Sequence, residues 1–217
     1  MMAQPRYQHI IWDWNGTLFD DAWLCVEIMN GLLARRGLPL LTLERYQTVF
    51  DFPVVAYYRR VGFDFAVDPF ETLSNEFMAD YQRRMMECDL RPGARDLLAA
   101  LLRRGLSQSI LSAMKQDLLD DMIAQFDLRR YFSDVVGIND HHAAGKLDSA
   151  RHWMARQSVI PAEMVFVGDT THDHEVAEVL GVGCWLIASG HHSRERLAAT
   201  GGQVIDSLPD VQRLINA

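Results

Sequence analysis

The sequence predicts an α/β fold: a doubly wound parallel sheet interrupted by one all-helical insert. Three observations carry this expectation. Short apolar runs recur and end in small or acidic residues. Helical patterns lie between most of them. One long stretch, from Asp21 to about Asp89, has helical periodicity and no convincing strand.

The runs are His9–Trp12 before Asp13, Ser109–Leu111 before Ser112, and Val135-Val136 before Gly137. Met164–Val167 before Gly168, Cys184–Ile187, and Gln203–Ile205 before Asp206 follow. Runs this short, bounded by turn residues, read as buried parallel strands. Helices are expected near Ala94–Arg104, Gln116–Phe126, Ser149–Gln157 and His174–Leu180, and strand alternating with helix implies a doubly wound sheet. In the insert, Val26, Met29, Leu32 and Leu33 share one helical face, and Leu73, Phe77 and Tyr81 repeat at helical spacing. Arg91-Pro92-Gly93 marks re-entry into the core.

Composition limits the function classes. The 217 residues suit one α/β domain, or a core with a smaller insert. The formal net charge of −8 disfavours nucleic acid as a partner. Cys25, Cys88 and Cys184 are scattered and form no C-x-x-C pair, which argues for a reducing compartment. The N-terminal residues lack a basic segment followed by a long apolar run, and no stretch reaches the ~20 apolar residues of a membrane span. A cytoplasmic protein that does not engage membranes is expected.

Because ligands of such sheets bind at the carboxyl ends of the strands, the residues after the runs are the candidates. Asp13-Trp14-Asn15-Gly16-Thr17 places a carboxylate at the sheet mouth, a glycine that permits a sharp turn, and a hydroxyl and N–H for an anion. Taken alone, Asn-Gly also reads as a plain turn. Gly168-Asp169-Thr170-Thr171-His172-Asp173 sets two carboxylates at a helix start, where they can converge on a magnesium ion. Helix capping is the competing account, and it explains one of the two better than both. Ser112, expected at a strand end, can hold a phosphoryl oxygen or simply cap. Lys146 is one of only two lysines in an arginine-rich chain, the other being Lys115, and its compact charge suits a phosphoryl group.

In this order, the four segments resemble the haloacid dehalogenase-like superfamily, and the helical insert resembles the cap of its phosphoglycolate phosphatase-like branch. The resemblance implies a Rossmann-like core at 1–20 and 90–217 and a helical cap at 21–89. It implies magnesium-dependent hydrolysis of a small phosphorylated metabolite, by a monomer or homodimer. Asp13 would be the nucleophile, forming an aspartyl-phosphate. Asp13, Asp169, Asp173 and the Asn15 backbone carbonyl would hold Mg2+. Gly16, Thr17, Ser112, Ala113 and Lys146 would meet the phosphoryl group.

Asn15 departs from the pattern. The family usually has an aspartate there, which protonates the leaving oxygen and then activates water; an amide does neither. Three explanations stay open: a substrate with a good leaving group such as an acyl phosphate, a substitute acid such as His172, or a phosphate-binding protein without turnover. No lysine lies in the insert, which disfavours a Schiff-base phosphonate mechanism. Smaller departures are Ala113 after Ser112 and Leu147 after Lys146. Arg59 and Arg60 are candidates for a second substrate anion, and Phe50, Phe52 and Tyr57 for a pocket wall. The pairs His141-His142 and His191-His192 lack a suitably spaced third metal ligand.

Overall fold

The computed structural model describes residues 7–138 and 144–216. Six strands form one parallel sheet: β1 (His9–Trp12), β2 (Ser107–Lys115), β3 (Asp134–Ile138), β4 (Met164–Gly168), β5 (Gly183–Ile187) and β6 (Gln203–Ile205). Their spatial order is β3-β2-β1-β4-β5-β6. All six expected runs are strands.

Among the described residues, ten α-helices accompany them. Four lie between β1 and β2 in the insert: α1 (Ala22–Ala34), α2 (Leu43–Val49), α3 (Val54–Arg60) and α4 (Phe70–Arg84). The remainder are α5 (Ala94–Arg103), α6 (Gln116–Gln125), α7 (Ala144–Met154), α8 (Thr171–Leu180), α9 (Arg194–Ala198) and α10 (Leu208–Asn216). The α7 helix begins five residues before its expected start, because the small and polar residues at its head carry no apolar period.

Strand periodicity divides the sheet between two cores. Ile10, Trp12, Val165 and Val167 pack with α5, α6 and α10 residues such as Leu98, Leu119 and Val211. Ile11, Met164 and Phe166 point the other way, against Trp153 of α7 and Val176 and Ala177 of α8. Successive side chains alternate across a strand, so runs apolar at every position are what a sheet covered on both faces requires. No helix among the described residues is long and apolar enough to cross a membrane.

The insert leaves and re-enters through two adjacent strands of chain. Asp20 N donates to Asp89 O at 3.0 Å, and Arg91 N to Leu18 O at 2.8 Å. Its helices also dock on the loop after β5: Gln47 Nε2 donates to Gly190 O at 2.8 Å, and Arg196 donates to the Phe50 carbonyl. The strand order reverses at β1, whose neighbours are β2 and β4. This switch point is where doubly wound sheets open a crevice, and the insert roofs it.

Candidate active site

Asp13 leaves β1 at the switch point, its N–H bonded to Val167 O of β4 at 2.9 Å. Gly168 then ends β4, and Asp169 follows. Parallel pairing of β1 with β4 thus delivers two carboxylates to one place from distant parts of the chain.

Asp173 is the third. Its Oδ2 accepts hydrogen bonds from Thr170 N (2.9 Å), Thr170 Oγ1 (2.7 Å) and Asp169 N (3.1 Å), completing a capping box at the head of α8. Oδ1 faces Lys146 instead. One carboxylate therefore caps the helix with one oxygen and serves the site with the other.

Lys146, in the first turn of α7, puts Nζ 2.5 Å from Asp13 Oδ1 and 2.6 Å from Asp173 Oδ1. It is 3% exposed. Burial opposes its charge, but Asp13 and Asp173 outweigh that and hold its pKa above the usual lysine value. Burial pushes the Asp13 carboxyl well above the carboxylate range, with Asp173 and Asp169 adding repulsion that Lys146 only partly offsets.

Asp13, Asp169 and Asp173 offer oxygens within 4.8 Å of one another, and all three residues are buried. Around the nucleophile position, three carboxylates face one ammonium. A hard divalent cation bound by oxygen ligands fits this donor set and its unbalanced charge.

Ser112 was expected at a strand end, but β2 continues through it to Lys115. The register against β3 shifts between Leu111 and Lys115, so a bulge re-aims the strand there. Ser112 Oγ accepts the Met114 N–H at 3.0 Å, leaving its own hydrogen to donate. Ser112, Ala113 and Lys146 line the same cavity as Asp13.

Gly16 and Thr17 each donate to a carboxylate of the site. Thr17 is fully buried, and its hydroxyl donates to Asp169 Oδ1 at 2.7 Å. Gly16 N donates to Asp21 Oδ1 at 2.9 Å. Gly16 has φ +71°, and a Cβ on it would fall 2.3 Å from Asp169 Oδ2. The turn therefore needs glycine both for its backbone and for the close approach of Asp169.

The sequence reading did not join four side chains that meet beside Asn15: Asp21, Tyr81, His191 and Tyr46. Asp21 Oδ2 accepts from Asn15 Nδ2 (2.7 Å) and Tyr81 Oη (2.7 Å), while Asn15 Nδ2 also donates to Tyr81 Oη (2.8 Å). His191 Nε2 lies 3.3 Å from Asp21 Oδ1, and its Nδ1 is 2.9 Å from Tyr46 Oη. Burial disfavours charge on His191, but Asp21 outweighs it and raises the imidazole pKa to about 9. Burial likewise opposes charge on Asp21, and His191 with the surrounding donors reverses the effect and lowers its pKa. Asp21 read only as the insert boundary, and no local signal links it to a histidine beyond β5.

The remaining candidates are placed plainly. Phe50, Phe52 and Tyr57 line the cavity. Arg59 stacks on Phe65 and Arg60 donates to Asp51 and the Val49 carbonyl; neither lines it. His172 lines it, with Nδ1 3.0 Å from Glu175 Oε2 and Nε2 buried without a partner. His192 accepts the Thr171 N–H at 3.0 Å. His141 and His142 lie outside the described residues.

Comparison with known proteins agrees with this geometry. Residues 10–187 match the sequence profile described as Haloacid dehalogenase-like hydrolase. The chain is 28% identical over 200 residues to a phosphoglycolate phosphatase of Synechococcus elongatus, covering 88% of this chain and 89% of that protein. It is 23% identical over 212 residues to the tyrosine-protein kinase PtkA of Mycobacterium tuberculosis, covering 97% and 72%. A solved haloacid dehalogenase-like family protein of Streptococcus pneumoniae superposes with a TM-score of 0.80 at 18% identity, over 96% of this chain and 98% of that one.

Proposed function

From the premise that this chain belongs to the haloacid dehalogenase-like hydrolases, we propose that it is a magnesium-dependent phosphatase of a small phosphate ester or acyl phosphate, acting through an aspartyl-phosphate on Asp13. The observation that carries the reading is the buried contact of Asp13 with Lys146, beside Asp169 and Asp173.

Lys146 orients Asp13 by holding Oδ1, which leaves Oδ2 to attack phosphorus. The Ser112 hydroxyl has a hydrogen to give to a phosphoryl oxygen, and Lys146 supplies a positive charge to the same group. Asp13, Asp169 and Asp173, with the Asn15 carbonyl, would hold Mg2+, which screens the repulsion between carboxylate and phosphoryl oxygens. Thr17 and the His191 N–H fix Asp169, and Thr170 fixes Asp173. The loop after β5 and the insert shield the site from water.

Asn15 takes no part in proton transfer. Its amide is engaged by Asp21 and Tyr81, and an amide does not ionise at neutral pH. Turnover therefore depends on a leaving group that departs without protonation. Asn15 also supports a second reading, a phosphate-ligand binding or regulatory protein that keeps the site without turning over.

Hydrolysis of acetyl phosphate by fresh, mass-verified protein, with and without magnesium, separates the two. Magnesium-dependent turnover that Asp13→Ala abolishes upholds the phosphatase. A silent wild type beside an active Asn15→Asp variant upholds the binding protein.

A further inference from the structure

The cavity above Asp13 has a volume of about 240 Å³. Beyond the catalytic residues its wall is apolar and aromatic, with Phe50, Phe52, Tyr57, Phe77, Met78 and Leu118 contributing. A dry apolar cavity of roughly 150 Å³ is enough for a benzene ring, so a phenyl group and its phosphate fit.

Beyond the buried, unpartnered Nε2 of His172, the same wall offers little to a second anion. Its described basic side chains are Lys115, Lys146, His172 and His191. Each already faces a carboxylate: Asp117 for Lys115, Asp13 and Asp173 for Lys146, Glu175 for His172, and Asp21 for His191. No arginine is among the described lining residues. Asp13, Asp21 and Asp173 add negative charge to the wall. A substrate carboxylate would lose its water among rings and carboxylates and find no unpaired lysine or arginine in the described wall.

A polar group of the wall is unspent. The Tyr57 hydroxyl is buried and has no hydrogen-bond partner, and Tyr57 is 2% exposed. It suits one neutral polar substituent on a bound ring.

We infer that this site takes an aryl phosphate, the monoester of an uncharged phenol, in preference to phosphorylated carboxylic acids such as phosphoglycolate. The inference rests on the phosphatase reading above and narrows its substrate class. It also fits Asn15. A phenolate is about as basic as a tyrosinate, pKa about 10, whereas an alkoxide approaches hydroxide, the conjugate of water at about 15.7.

In the first step, Asp13 Oδ forms a bond to phosphorus and the bond from phosphorus to the phenolic oxygen breaks. The electron pair stays on that oxygen, which later takes a proton from bulk water. In the second step, water attacks phosphorus and displaces Asp13, releasing inorganic phosphate and a proton to solvent. No oxidant or second substrate is needed.

The test separates the pocket from the chemistry by using ligands that have no leaving group. Phenylphosphonate and phosphonoacetate are titrated calorimetrically into the wild-type protein with magnesium, while acetyl phosphate turnover is followed separately. The expected result is at least tenfold tighter binding of phenylphosphonate. Ser74→Arg and Met78→Arg, which add a cation to the α4 wall, are expected to narrow that ratio at least threefold. Equal binding, tighter binding of phosphonoacetate, or binding of neither overturns the inference, even if acetyl phosphate is hydrolysed. Tighter phenylphosphonate binding without any turnover upholds the pocket and overturns the phosphatase reading instead.

Discussion

Asn15 Nδ2 lies 2.7 Å from Asp21 Oδ2, so the residue two positions after Asp13 is held by a carboxylate. Asn15→Asp would set two carboxyl groups at that separation. They cannot both ionise, so the pair would retain a proton at neutral pH, the condition a general acid needs. The variant is expected to raise kcat/KM for alkyl phosphates by about 10²–10⁴, the usual worth of general acid–base catalysis. Aryl phosphates should gain less in kcat/KM, because their first step needs little protonation. Steady-state kinetics on both series checks this. Equal gains for the two would separate the effect from leaving-group protonation.

The wild type should show a burst of phenol release from 4-nitrophenyl phosphate, close to one equivalent per active site. On the proposed mechanism Asn15 would supply no base for the water that hydrolyses an aspartyl-phosphate, so the second step is expected to lag the first by a factor on the order of 10² or more. Rapid-mixing absorbance measures the amplitude. Linear release from the first turnover would mean that the second step is not the slow one. Asn15→Asp should reduce or remove the burst.

The fold was legible because every strand contains its apolar run, and every strand but one begins and ends within two residues of it. The exception is β2, which carries the polar residues Ser112 and Lys115 beyond its run through a bulge that only the pairing with β3 reveals. Asp13, Lys146, Asp169 and Asp173 could be chosen because they follow strands or begin helices in a recognisable order. The sequence reads Gly16 and Thr17 as an anion-binding turn and gives no sign that the Thr17 hydroxyl also holds Asp169. Asp21, Tyr81, His191 and Tyr46 were beyond reach. They come from the insert boundary, two insert helices and the loop after β5, and only tertiary packing joins them.

Gly190 should be as critical as Gly16, although no motif marks it. A Cβ there would lie 2.0 Å from Asp169 Oδ2. Its backbone is not in the left-handed region, so Gly190→Ala tests the steric contact without backbone strain. Displacing Asp169 by about 1 Å is expected to cost about 10² in kcat and to weaken magnesium binding, read by calorimetry. Gly105→Ala, at a glycine with φ +83° and open space around its Cβ, is the contrasting control. It should lower stability by about 1 kcal/mol and leave magnesium affinity unchanged.

His192 ties acid stability to the helix that carries Asp173. Its Nδ1 accepts the Thr171 N–H in the first turn of α8, so the ring is neutral with its proton on Nε2. Burial lowers its pKa to about 3, and Arg196 adds repulsion. Between that value and the unfolded value of about 6.5, the unfolded chain binds more protons than the folded one. Stability from His192 is therefore complete above about pH 6.5 and declines as pH falls toward 3. A difference of this size corresponds to a loss on the order of 4–5 kcal/mol across the window. Urea denaturation at pH 7, 6, 5 and 4 measures it. His192→Asn keeps an acceptor for Thr171 and cannot titrate, so its slope should be shallower by about 1.4 kcal/mol per pH unit below pH 6. If the two slopes coincide, His192 does not set the acid limit.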